Sequence, residues 1–267
     1  GLCGTKEKIP AGGFPLLVKL MDAKENLSVQ VHPDDSLARE LHGPEARGKG
    51  EAWVVLEAKP DQVLYNGFKS GTTWADVERA LGVGRVVDLM NAVRVKAGDV
   101  VDVPAGRPHA LGAGCLVAEV QQNSDHTYRL WDWGRLERGK ARTLHLQEAR
   151  RALNFGALGC GDGLTRPQPF RENWGLREAL LSTPYFNLER WTLKPGAGPS
   201  GAGCFWLLLA VSGNVHLRWR GLGASGAGLS LRAGLSVLVP AGLPLELCAG
   251  STGAVLLGAG LGPGQQA

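Results

Sequence analysis

The chain has 267 residues, 44% hydrophobic and 20% charged, enough to bury one large core or two ordinary ones. Its 29 basic and 25 acidic residues are spread without a basic run, so no nucleic-acid partner is expected, while a small anionic substrate fits the charge of +4. No apolar run reaches membrane-spanning length, and five scattered cysteines without a C-x-x-C pair disfavour a disulfide framework; a cytoplasmic protein is expected.

From Phe14 to His32 two strands are predicted, FPLLVKLMDA and LSVQVHP, joined around Lys24–Asn26. Alternation along the second puts Ser28, Gln30 and His32 on one face and Leu27, Val29 and Val31 on the other. That polar face either meets solvent or lines the mouth of a barrel. EAWVVLEA, from Glu51, reads as a further strand by its β-branched and aromatic content. Thr73 and Asp76 are spaced as a capping box ahead of WADVERAL, and RVVDLMNAV continues a helical insertion over about residues 69–93. Strand character returns in VRVKAGDVVDVPAG, LVAEVQQ and TYRLWDWG, and HLQEARRALNF closes this part as a helix. GALGCGDGLTRPQP reads as a linker, a second set of short strands runs from Tyr185 to about Gly258, and GLGPGQQA reads as a loose tail. Because the chain opens at Gly1 and enters a strand almost at once, a truncated N-terminus is expected.

GDVVDVPAGRPHALG (Gly98–Gly112) returns as GLSVLVPAGLPLELC (Gly234–Cys248), with Leu245 where the first copy has His109. Such a repeat predicts two copies of one β architecture. The expected fold is mainly β, two cupin-type jelly-roll barrels with a small helical insertion in the first. The expected domains are 1–155, metal-binding; 156–169, a linker; and 170–267, a metal-free cupin-like domain. The histidine-to-leucine difference assigns any metal to the first copy.

In VPAGRPHA the proline–glycine turn aims His109 toward the barrel interior. A lone histidine is more often a hydrogen-bonded structural residue, but His32 and Glu51 supply the second imidazole and the carboxylate of a first-row metal site. Gln30 is the weakest donor of the four and could instead orient His32 or a substrate. His42 and His145 read as surface residues, His216 belongs to the metal-free copy, and His126 flanks the site.

FPLLVKLMDAKENLSVQVHPDD, GKGEAWVVLEAKP, VPAGRPHALGAG and EVQQNSDHTYRLWDWGR agree in order and spacing with one family. Over Phe14–Phe155 the chain resembles the type I mannose-6-phosphate isomerases in their short bacterial form. The resemblance implies a zinc-dependent isomerase, with one Zn2+ per chain, interconverting mannose 6-phosphate and fructose 6-phosphate as a monomer. It implies zinc ligands at Gln30, His32, Glu51 and His109, catalytic roles for Lys49, Asp125 and Arg129, and substrate contacts at Ser28 and Arg135. Three departures stand out. The Trp-Gly-Gly and Gly-Glu-x-Trp stretches of the family are not found ahead of Phe14. Gly50 replaces the usual threonine or proline of the GKGE motif and should loosen that loop. Trp131 and Trp133 stand where tyrosines are common.

The residue types suit the implied reaction. Moving a carbonyl from C1 to C2 of an open-chain sugar removes a proton beside a carbonyl and returns it one carbon away. The cis-enediol(ate) formed on the way gathers negative charge on oxygen, which a Lewis acid and the fixed fork of Arg129 can stabilise. The proton could be moved by Lys49 or by Asp125. Read without the family, Lys49, Arg129 and Arg135 are ordinary solvated charges. The rival functions are a cupin that binds metal or sugar phosphate without turnover, and a metal-dependent oxygenase, in which QQNSDHTYR would have no evident purpose.

Overall fold

The computed structural model describes residues 13–165, 167–199, 205–219 and 228–262. Cys3, Cys204, most of the predicted tail and the first 12 residues, where a truncated start was expected, lie outside the described residues. The chain forms two compact units, one of Pro15–Thr165 and one of Gly1–Phe14 with Arg166–Ala267. It is mainly β, and its sheet pairings are antiparallel.

The Pro15–Thr165 unit opens with β1 (Leu16–Asp22), β2 (Val29–Val31) and α1 (Asp35–His42). It continues through β3 (Glu51–Ala58), β4 (Val63–Phe68), α2 (Trp74–Gly82), β5 (Met90–Arg94), β6 (Val100–Val103) and β7 (His109–Ala110). Then come β8 (Cys115–Gln122), β9 (Tyr128–Trp131), the exposed hairpin β10 (Leu136–Glu137) and β11 (Lys140–Ala141), α3 (Leu146–Ala152), α4 (Ala157–Cys160) and β12 (Leu164–Thr165). Two five-stranded sheets result, β1-β8-β3-β6-β12 and β5-β4-β7-β2-β9.

Apolar alternation sets which way each strand faces. Trp53, Val55, Val101, Val103 and Val117 from the first sheet meet Leu64 and Val93 from the second in one cluster, so the sheets share a core. Val29, Val31, Phe68 and Leu130 turn to the other side of the second sheet and pack with Val77 of α2 and Ala149 of α3. The polar face of β2 is therefore directed inward and not to bulk solvent: Ser28 and His32 are buried.

Local chemistry explains where sequence expectation and structure part. The capping box at Thr73 and Asp76 is formed, with Asp76 accepting from the Thr73 backbone N–H at 3.0 Å. RVVDLMNAV is not helical throughout: a single 3-10 turn at Val86–Leu89 gives way to β5, whose backbone pairs with β4. Helix α1 turns a short apolar stripe of Leu37, Ala38 and Leu41 toward the core, with Ala38 fully buried, and is started by its cap, where Asp34 Oδ1 accepts from Leu37 N at 2.8 Å.

The segment expected as a linker is largely part of this unit. Arg107, itself buried, donates from Nε to the Leu158 carbonyl at 2.7 Å, and β12 pairs with β6. The Asn91 amide donates to the Cys160 carbonyl at 2.9 Å and Asn66 to that of Asp162 at 2.8 Å. Glycines here serve close approach as much as flexibility.

The other unit contains β13 (Gln168–Glu172), β14 (Gly175–Ser182), β15 (Phe186–Leu193), β16 (Trp206–Trp219), β17 (Gly228–Arg232), β18 (Ser236–Val239) and β19 (Leu245–Leu261). They form a sheet ordered β13-β14-β15-β19-β16-β17, with β18 paired to β16. Its strands begin earlier and run longer than the sequence suggested, and β19 absorbs Gly260 and Leu261 of the expected tail. The repeat survives in three dimensions. In each copy the Pro-Ala-Gly turn follows a four-residue strand, β6 or β18, and carries its glycine at positive φ, 84° for Gly106 and 70° for Gly242. Each turn is closed by a bond to the proline carbonyl, from Arg107 N at 3.1 Å and from Leu243 N at 3.4 Å. His109 and Leu245 are the first residues of the strands that follow.

Candidate metal centre

His109, Gln30 and Arg129 form a row across three adjacent strands: Gln30 of β2 pairs with His109 of β7 on one side and Arg129 of β9 on the other. Directly paired residues project to the same face, so the row points into the unit's interior. His32, two residues after Gln30, follows it to that face. From the opposite sheet, Glu51 at the head of β3 is paired with Gln121 of β8 and Val103 of β6.

These placements bring His32, Glu51 and His109 together, all buried, with their candidate ligand atoms within 4.8 Å of one another. Glu51 Oε2 lies 3.4 Å from His32 Nε2, and Oε1 lies 3.4 Å from His109 Nε2. Both imidazoles are set in the same tautomer by their backs. A carbonyl oxygen can only accept, so His32 Nδ1 donates to the His126 carbonyl at 2.9 Å and His109 Nδ1 to that of Arg107 at 2.9 Å. The Nε2 lone pairs are thereby turned toward the carboxylate, as imidazole ligands of a metal require. Lys49 Nζ donates to His32 Nε2 at 3.0 Å and to Glu51 Oε2, and the Gln30 amide nitrogen lies 3.2 Å from His109 Nε2.

The electrostatics favour neutral imidazoles beside an ionised carboxylate. Burial, then the Lys49 charge, lowers His32 to about 4. Burial likewise lowers His109. Burial would raise Glu51, but Lys49, then His32 and His109, overcome it and hold the carboxyl well below its usual range. Glu51 Oε1 is buried without a hydrogen-bond partner. An orphaned carboxylate oxygen and two outfacing Nε2 lone pairs make a donor set that fits a divalent first-row ion.

The remaining predicted residues are placed unequally. Ser28 is buried, its Oγ donating to Gln30 Oε1 at 3.3 Å. This leaves the Gln30 nitrogen toward His109, so its oxygen becomes a ligand only if the amide turns over. Arg129 reaches from the row to the Thr143 carbonyl at 2.8 Å, while its buried Nε has no hydrogen-bond partner. Arg135 is engaged elsewhere, bonded to Asp132 Oδ1 at 2.5 Å and to the Asn26 carbonyl at 2.7 Å. Asp125 is fully exposed, its carboxylate 3.9 Å from His126 Nδ1, and has no contact with the buried cluster. Gly50 does not loosen its loop: its N–H donates to Gln122 Oε1 at 2.8 Å and its carbonyl accepts from Gln122 N at 3.0 Å.

Sequence reasoning missed a second polar group on the inner face. Glu119 of β8 is buried, accepting from Trp53 Nε1 at 3.0 Å and Lys19 Nζ at 3.0 Å, and Lys19 also donates to Gln121 Oε1 at 2.5 Å. Its signal lay in LVAEVQQ, where a lone glutamate interrupts a run otherwise buried on both faces. His145 is also more than a surface residue, since its Nδ1 accepts from Arg129 N at 3.2 Å.

A two-sheet antiparallel β unit enclosing two imidazoles and a carboxylate defines a β protein with a candidate mononuclear metal centre. The family model for the catalytic domain of type I phosphomannose isomerase matches residues 4–53. The chain is 35% identical over 205 residues to the probable mannose-6-phosphate isomerase GmuF of Bacillus subtilis, covering 76% of this chain. It is 34% identical over 210 residues to the mannose-6-phosphate isomerase ManA of the same organism, again covering 76% of this chain. It spans 64% of the length of each of these relatives. The crystal structure of the mannose 6-phosphate isomerase from Bacillus subtilis superposes with a TM-score of 0.81 at 29% identity, over 92% of this chain and 75% of that one. By these matches the chain is similar to the type I phosphomannose isomerases.

Proposed function

We propose that the chain is a zinc-dependent aldose–ketose isomerase that interconverts mannose 6-phosphate and fructose 6-phosphate through a cis-enediol(ate), built on two cupin-type jelly-roll barrels of which only the first holds metal. The observation that carries this reading is the buried His32–Glu51–His109 cluster with both Nδ1 atoms tied back to carbonyls. His32, Glu51 and His109 would hold the ion, with Gln30 completing the set after its amide turns over. The ion would supply Lewis acidity toward the sugar carbonyl and the oxygen that takes up charge.

The chain's own residues divide the rest of the work. Arg129 stands on the same face as the ligands and would donate its fork to the developing enediolate oxygen. Lys49, bonded to His32 and Glu51, and Glu119, buried on the same inner face, would carry the proton between C2 and C1. Asp125, exposed, has no support for that task. Ser28 would bind substrate beside Gln30, whereas Arg135 would have to release Asp132 before taking the phosphate.

The test is a coupled assay of mannose 6-phosphate turnover on chelator-treated protein before and after zinc is restored. Turnover should vanish with the ion and return with it. A chain that takes up one zinc per molecule yet never turns over would overturn the catalytic reading in favour of a metal-binding cupin without activity.

A further inference from the structure

The two imidazoles of the candidate centre are oriented by unlike means. The acceptor behind His109 is the carbonyl of Arg107, two residues away in the same proline-bounded turn, whose side chain is itself buried and bonded. The acceptor behind His32 is the carbonyl of His126, 94 residues away in the loop between β8 and β9. That loop has its own fastenings. Ser124 Oγ donates to the Arg47 carbonyl at 2.9 Å, His126 N lies 3.4 Å from Ser124 Oγ, and Gln121 Nε2 donates to the Ser124 carbonyl at 2.7 Å.

One contact on His126 comes from outside the loop. The His42 ring, at the end of α1, lies flat on the His126 ring with centroids 4.0 Å apart and planes inclined by 5°. His42 is in turn held at its edge, Nε2 lying 2.9 Å from the hydroxyl of Tyr128, a buried residue of β9 paired with Val31 of β2. A residue exposed on a helix thus fixes the ring of the residue whose carbonyl sets the His32 tautomer.

We propose that His42 is a positioning residue for the metal ligand His32, acting through the stacked His126 ring; this rests on the reading of His32 as a ligand. His42 touches neither substrate nor ion. It restrains the rotation of residue 126, and so the direction of the carbonyl to which His32 Nδ1 donates. Groups that orient a metal-binding imidazole from behind typically change metal affinity by about 10–100-fold when removed.

The test is zinc affinity by competition with a chromophoric chelator, alongside the visible spectrum of the cobalt(II)-loaded chain, for the wild type, His42→Ala and His42→Phe. Phenylalanine keeps a flat ring and lacks the nitrogen. His42→Ala should lose about tenfold in zinc affinity, the lower end of that range, and shift the cobalt bands. His42→Phe should recover most of the affinity and the wild-type bands. Wild-type affinity and spectrum in His42→Ala would overturn the proposal, and so would an equal loss in His42→Phe, because neither is compatible with a role for the stack. A wild-type chain that binds no zinc would refute the metal-centre reading itself and this inference with it.

Discussion

Gln30 and Arg129 are direct partners across β2 and β9, and Gln30 is also the partner of His109 across β2 and β7. Arg129 therefore stands two strands from the candidate metal ligand His109 on a shared face. Charge stabilisation and ion binding should be separable. Arg129→Lys, which keeps the charge and loses the fork, should lower kcat by about 100-fold, the scale for losing one preorganised donor. Zinc content, read by atomic absorption, should stay at the wild-type level. Lost zinc in that variant would mean the arginine is part of the ion's support.

His109→Leu copies into the first unit what the other unit already has. It should abolish zinc retention and turnover together, and preserved activity would show that the ligand assignment is wrong. The reverse change, Leu245→His, should create no site. Leu245 is buried among Leu217, Leu247 and Leu256, so an imidazole there would lack partners and cost about 1–3 kcal/mol in urea denaturation.

The cluster also sets a pH dependence for chelator-treated protein. His32 falls to about 4 in the folded chain, against 6.5 unperturbed. Above pH 6.5 the ring is neutral in both states and costs nothing. As pH falls from 6.5 toward 4 the unfolded chain takes up a proton that the folded chain refuses, so stability should drop through that window. Burial lowers His109 in the same direction. The urea midpoint measured between pH 7 and pH 4 (values on the scale of the unperturbed imidazole range) checks this. A flat profile would mean the imidazoles are not buried neutral.

Gly163 tests whether residues 156–165 are linker or structure. Its φ is 71°, and a Cβ there would lie 2.2 Å from the Asp102 carbonyl oxygen. Gly163→Ala should therefore destabilise the chain by about 1–3 kcal/mol through overpacking, with further strain from the backbone angle. A tethering linker would tolerate the change, leaving the thermal midpoint where it was.

What the sequence revealed follows from how local each signal is. The β2 alternation, the capping box at Thr73 and the twin Pro-Ala-Gly turns are written within a few residues, and each is found in the structure. His32, Glu51 and His109 were legible because strand register and turn geometry aim side chains in a regular way. Glu119 was not, because its meaning depends on Trp53 and Lys19, which only sheet pairing brings to it. Helix α1 was missed because its eight residues carry only a short stripe, Leu37, Ala38 and Leu41, which signals a helix only together with the cap at Asp34. Arg135 looked free on its strand pattern, yet Asp132 and Asn26 had already claimed it.

The wide spacing of the three donors also orders events in time. Leu16 of β1 pairs with Gln122 of β8, and Glu51 with Gln121, so the sheet that carries Glu51 closes only through contacts made late along the chain. Such non-local pairing is slow to form. A chain leaving the ribosome exposes His32 and Glu51 well before His109 exists, and its first two donors stay unaligned until β8 has emerged. Zinc uptake during synthesis should thus lag behind the appearance of His32 and rise only once the chain has passed residue 122, so that the ion would report closure of the sheet that carries Glu51.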